Sequence, residues 1–178
     1  MIDAPTGQVT LVFTDVQGST VLWDHAPDGM REALALHDAI MRETLGAAQG
    51  YEVKTEGDAF MVAFASAPAA VGWCLAVQER LMAVDWPAEI LGQDEASEVL
   101  AEDGTPVLRG LRVRMGAHAG TPICQPDPNT GRMDYFGGMV NQSARVSDSA
   151  HGGQVVCTQA VLNSLKADIL ILEPHKGT

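Results

Sequence analysis

Val9 to Phe13 is an apolar, β-branched run closing on Thr14-Asp15, and it predicts a buried strand. Gln17-Gly18-Ser19-Thr20 turns the chain, with Ser19 or Thr20 placed to cap a helix. After Pro27-Asp28, the residues Met30, Ala33, Leu34, His37, Ile40, Met41 and Leu45 recur at helical spacing, so a long helix reaches the Gly46–Gly50 region. Tyr51 to Thr55 alternates, Gly57-Asp58 turns, and Ala59 to Phe64 returns as a buried strand of a hairpin. Ser66-Ala67-Pro68 opens a further helix that runs to about Val84.

From Asp85 to Arg109 the periodicity fails. Pro87, Gly92, Gly104, Pro106 and six acidic residues between Glu89 and Asp103 predict a surface insertion containing a short helix. Leu111 to Ala119 alternates as a strand, Thr121 to Gln125 extends the sheet, and Pro126 to Arg132 is a loop. A helix over about Met139–Ser149, a strand over Gln154–Thr158, a short helix near Gln159–Lys166 and a last strand at Ile169–Leu172 complete the chain. Strands and helices alternate around one clear hairpin, which predicts an α+β sandwich of the split βαβ, ferredoxin-like kind.

Composition narrows the classes. At 178 residues the chain builds one domain with a sizeable core. No apolar run approaches the roughly 20 residues of a membrane span, and Met1 to Gly7 lacks the features of a signal peptide. Cys74, Cys124 and Cys157 are odd in number and widely spaced, which fits free thiols in a reducing compartment and predicts a cytoplasmic location. The five histidines, His25, His37, His118, His151 and His175, show no ligand spacing. A formal charge of −12 without a basic stripe argues against a nucleic-acid partner. An anionic substrate would therefore need cations concentrated at its site.

Candidate chemistry lies at two aspartates. Asp15 ends the first strand, and Asp58 sits in the turn of the hairpin expected beside it. Adjacent strands lie about 4.8 Å apart, so two such carboxylates can bracket a pair of cations. Gly18-Ser19-Thr20 at a helix start offers free N–H groups to a polyphosphate. Each feature also has an ordinary reading, as a turn former or a helix cap.

Phe13 through Thr20, Tyr51 through Phe60, and Gly137 through Asn141 to Arg145 together resemble the class III adenylate and guanylate cyclases. The resemblance runs from about Val9 to Thr158. The opening is also similar to the receptor-type cyclases of protozoa and fungi, which carry an insertion after the helix ending near Asp85.

The resemblance implies that Asp15, Asp58 and the Val16 carbonyl hold two divalent cations, Mg²⁺ or Mn²⁺. It implies that Lys54 reads the purine, with Asp134 receiving the adenine amino group. It also makes Asn141 the ribose-orienting residue and Arg145 the residue that stabilises the transition state. Asn141 and Arg145 stand four apart on the expected helix, so they share a face. Related guanylate cyclases place Glu and Cys where this chain has Lys54 and Asp134, so ATP is the implied substrate and cyclic AMP the product.

A head-to-tail homodimer with shared sites is implied as well, as is membership of a larger sensor or receptor protein. Rival readings are a guanylate cyclase, a non-catalytic nucleotide-binding dimerisation module, and a polymerase-palm-like nucleotidyltransferase. Glu56, Gly138-Met139 and the ending at Thr178 depart from the pattern. The chain stops before the family's final hairpin with its phosphate-binding lysine, for which Lys176 is a poor substitute on position alone.

Overall fold

Strand β1 (Val9–Val16) lies at the centre of the sheet, where apolar side chains can be buried on both faces. The computed structural model describes residues 2–172, with side chains described to residue 167. Helices α1 (Ser19–His25) and α2 (Pro27–Ala47) follow, then the hairpin of β2 (Tyr51–Glu56) and β3 (Ala59–Phe64), and then α3 (Ala67–Met82). The segment beyond it holds the four-residue helix α4 (Ala88–Leu91) and a small hairpin, β4 (Val99–Leu100) with β5 (Pro106–Leu108). Strand β6 (Val113–Gly120), the hairpin of β7 (Ile123–Pro126) and β8 (Met133–Phe136), helix α5 (Gly138–Asp148), strand β9 (Val155–Cys157) and helix α6 (Gln159–Leu172) complete the order.

The main sheet runs β2-β3-β1-β6-β9. Its first four strands pair antiparallel, and β9 joins β6 in parallel. With β1 lying between β3 and β6, and β3 between β2 and β1, this is the split βαβ arrangement that the sequence predicts.

The two faces of the sheet carry separate cores. On one, Val12, Phe60, Val62, Met115 and Ala117 meet Met30, Ala33 and Met41 of α2 and Ala70, Trp73 and Val77 of α3. Trp73 satisfies its buried indole by donating to Thr44 Oγ1 at 3.0 Å, while that hydroxyl donates to the Ile40 carbonyl at 2.7 Å. On the other face, Val9, Leu11, Met61 and Ala63 pack with Tyr135 of β8 and with Met139 and Val140 of α5.

Close approach of α5 to β6 requires a glycine. A Cβ at Gly116 would strike the backbone N and Cα of Ser147, which no side-chain rotation can relieve. Gly116→Ala is expected to cost about 3 kcal/mol of stability, read as a lowered denaturant midpoint. A midpoint equal to wild type would show that α5 is not seated there.

Four expectations are corrected. Ser19 and Thr20 cap nothing: the N-cap of α1 is Gly18, in the left-handed region at φ 74°, with no side-chain cap bond. Residues after Gly120 leave the main sheet, and β7 pairs only with β8 among the described strands. The Asp85–Arg109 segment contains its short helix but is no mere surface loop, because Trp86, Ile90 and Ala96 are buried in the first core. The strand expected at Ile169–Leu172 is instead the end of α6. His175 and Lys176 lie outside the described residues. No described helix is long and apolar enough to cross a membrane.

Candidate active site

Asp15 projects from the end of β1 on the α5 face, directly opposite Arg114 of β6. Thr14 pairs with Phe60, and continuing that register sets Asp15 across from Ala59 and Val16 across from Asp58. Glu56 pairs with Ala59 from the other side. Asp15 and Asp58 therefore lie at the same end of three adjacent strands, where the two-residue Gly57-Asp58 turn closes the hairpin. Gly57 adopts φ 62° to make that turn.

The chemistry of these groups fits divalent cations. Asp58 Oδ2 is buried and has no hydrogen-bond partner, a costly state for a carboxylate oxygen unless a cation completes it. No described cluster of three or more His, Cys, Asp or Glu side chains could hold a metal. Two carboxylates and a backbone carbonyl are nonetheless a usual protein share for Mg²⁺, which takes further oxygens from water and phosphate.

Arg114 is the residue that sequence reasoning missed here. Its guanidinium donates to Asp15 Oδ2 from Nε at 2.9 Å and from a terminal nitrogen at 2.5 Å. The alternation of β6 was the available signal, since it puts Arg114 on the face shared with Gly116. The partner strand could not be read from it.

The turn after Asp15 is held from three directions. Gln17 N donates to the Arg112 carbonyl at 2.9 Å, and Gln17 Oε1 accepts from Gly152 N at 2.6 Å. Gly18 lies against Glu95 of the Asp85–Arg109 segment, whose Cγ would sit 2.7 Å from a Cβ at that position. Leu22 N takes the Gly18 carbonyl as the first helical bond, which leaves the N–H groups of Ser19 and Thr20 without intrahelical partners.

Lys54 and Asp134, 80 residues apart in sequence, meet in space. Lys54 Nζ lies 3.3 and 3.5 Å from the two Asp134 oxygens. An irregularity in β2 between Glu52 and Lys54 sets Lys54 opposite Met61 and so turns it to this face. The pair lines a cleft of about 500 Å³ with Thr55, Asp127, Thr130 and Arg132.

Neighbouring contacts fix this wall. Arg132 stacks over the Tyr51 ring at 5.1 Å and donates to the Glu52 carbonyl, while Met133 N donates to the Tyr51 hydroxyl at 3.1 Å. Backbone N–H groups of Thr130 and Asn129 hold the Asp127 carboxyl below the usual carboxylate range, aided by Lys54. Burial pushes the Glu52 carboxyl up, but bonds from Arg42 and Thr55 leave it net lowered.

Asn141 and Arg145 are exposed, one turn apart on α5. Neither side chain joins the Lys54–Asp134 cleft, and neither bonds to Asp15 or Asp58 among the described contacts. One protomer thus pairs Asp15 with Arg114, with Asp58 at the same end of the sheet, and pairs Lys54 with Asp134. Among the described hydrogen bonds, the α5 pair joins neither.

Known proteins share this framework. The sequence profile described as "Adenylate and Guanylate cyclase catalytic domain" matches residues 1–176. An adenylate cyclase of Mycosarcoma maydis is 51% identical over 162 residues, covering 91% of this chain and 6% of that protein. The receptor-type adenylate cyclase GRESAG 4.3 of Trypanosoma brucei brucei is 39% identical over 181 residues, covering 92% of this chain and 15% of its own length. A solved Trypanosoma brucei adenylate cyclase in its monomeric state superposes with a TM-score of 0.85 at 35% identity, over 95% of this chain and 80% of that one. The chain spans only a small part of the length of these two curated relatives. It belongs to the adenylate and guanylate cyclase catalytic domain family.

Proposed function

We propose that this domain converts ATP to 3′,5′-cyclic AMP and pyrophosphate. The observation that carries the choice of ATP is the Lys54–Asp134 pair on the wall of a cleft. Adenine presents an acceptor at N1 and a donor at its amino group, which a lysine and an aspartate complement. Guanine presents O6 and N1–H, which would face a donor and an acceptor in the wrong order.

Each remaining residue has a role that its position supports. Asp15, Asp58 and the Val16 carbonyl would hold two divalent cations, which supply charge stabilisation to the reacting oxygens and phosphates when bound. The turn at Gly18 lets a phosphate approach, and the free N–H groups of Ser19 and Thr20 receive its oxygens. Asn141 orients the ribose, and Arg145 balances negative charge that builds on the α-phosphoryl oxygens. The ribose 3′-oxygen attacks the α-phosphorus, its proton leaves, and the bond to the β-phosphate breaks to release pyrophosphate.

In this reading the site is completed by a second copy, head to tail. Asn141 and Arg145 support this because both are exposed and, among the described contacts, bond to neither aspartate of their own protomer. The β7–β8 hairpin that carries Asp134 also exposes Ile123 at 66% and Phe136 at 47%, apolar surface that a second copy would cover. Two identical chains would then form two equivalent sites. By analogy with its far longer relatives, the domain is the catalytic output of a larger signalling protein.

Product analysis with ATP and GTP in parallel, each with Mg²⁺ and with Mn²⁺, tests the activity. Cyclic AMP is expected, with kcat/KM for ATP about a hundredfold or more above that for GTP. Absence of a cyclic mononucleotide from either substrate would end the proposal.

A further inference from the structure

One carboxylate assigned to the cations is already engaged. Both Arg114 bonds end on a single atom, Asp15 Oδ2, so the lone pairs of that oxygen are taken up by one guanidinium. The two residues are direct partners in the β1–β6 ladder, which holds them opposite each other whatever the side chains do. Their side chains are only 29% and 32% exposed, so solvent screens the pair incompletely. Asp58 is in the contrary state, with a buried oxygen that has no partner. Of the two assigned ligands, one therefore has a buried oxygen without a hydrogen-bond partner and the other is paired with a positive charge.

We propose that Arg114 is a positioning residue that orients Asp15 before nucleotide binds and opposes a free divalent cation. Cations then enter effectively only together with the anionic nucleotide. The proposal rests on reading Asp15 and Asp58 as cation ligands. Its physical basis is charge. A dication arriving alone must displace a guanidinium from its ligand and then remain beside it. A dication arriving with a polyphosphate brings negative oxygens that satisfy the same guanidinium, for which its planar fork is suited. A strut with no such role would make the metal site weaker, not stronger, when removed.

Electron paramagnetic resonance titration of Mn²⁺ into the full chain separates these cases. It is run without nucleotide and with a non-cyclisable ATP analogue, correcting for chelation by the free analogue. The chains compared are wild type, Arg114→Gln, Arg114→Lys and Asp15→Asn. Without nucleotide, Arg114→Gln is expected to bind Mn²⁺ about tenfold or more tightly than wild type. Arg114→Lys, which keeps the charge, should stay within about threefold of wild type. The factor by which the analogue tightens Mn²⁺ binding should shrink in Arg114→Gln.

Unchanged or weaker Mn²⁺ binding by Arg114→Gln overturns the proposal. So does a wild type whose Mn²⁺ affinity is the same with and without the analogue, an arm that needs no variant to fold. If Asp15→Asn binds Mn²⁺ as well as wild type does, Asp15 is not a cation ligand. In that event the underlying assignment fails first.

Discussion

Equal mixtures of Asp15→Ala and Asn141→Ala protomers, once exchanged, are expected to recover up to about a quarter of wild-type activity. Each variant alone should lose about a thousandfold in kcat or more, since each removes charge stabilisation or orientation from both sites of its own dimer. Exchange makes half of the dimers mixed, and every mixed dimer holds one intact site of its two. The structure motivates the experiment because Asn141 and Arg145 are exposed on α5 and, among the described residues, form no hydrogen bond to Asp15 or Asp58 of the same chain. Cyclic AMP is the readout, with heterodimers verified by differential tagging. Verified heterodimers without recovery would show that each protomer builds its own complete site.

Replacing Lys54 by Glu together with Asp134 by Cys should move the purine preference from ATP toward GTP. The ratio of kcat/KM values is expected to shift by about a hundredfold, as mismatched polar groups in a cleft are left unpaired. Both changes are needed. Lys54 and Asp134 lie within 3.3 Å of each other, so altering one alone strands the other. An ATP preference that survives the double change would place base selection elsewhere on the cleft wall, with Glu52, Thr55, Asp127, Thr130 and Arg132 as the remaining polar side chains.

Much of this was legible in the chain itself. The spacing of Met30, Ala33, His37 and Met41 gave the long helix, because a single buried stripe repeats without interruption. Gly57-Asp58 between two alternating runs located the hairpin, and with it Asp58. The conjunction of three motifs then paired Lys54 with Asp134 across 80 residues, and the structure joins them.

What escaped was set by partners rather than by local pattern. Arg114 acquires its meaning only from the β1–β6 register, which joins positions 99 residues apart. Trp86, Ile90 and Ala96 are buried but follow no period, because an irregular segment reaches the core one side chain at a time. Ile169 to Leu172 is a short apolar run, which a strand and a helix end share equally. Gly18 displaced Ser19 as the cap residue because the turn needs a positive φ there, which glycine meets without strain.

Residues 85–109 also indicate where this domain can accept new material. Their base is wedged between the turn after β1 and the Gly152-Gly153 bend, with Glu95 on Gly18 and Leu108 beside Gly153. Their tip, Ala101 to Thr105, is solvent-exposed, and Gly104 has open space around it. A fluorescent reporter spliced at Gly104 would thus ride on a bracket packed against the turn that follows β1. Its signal would track that turn.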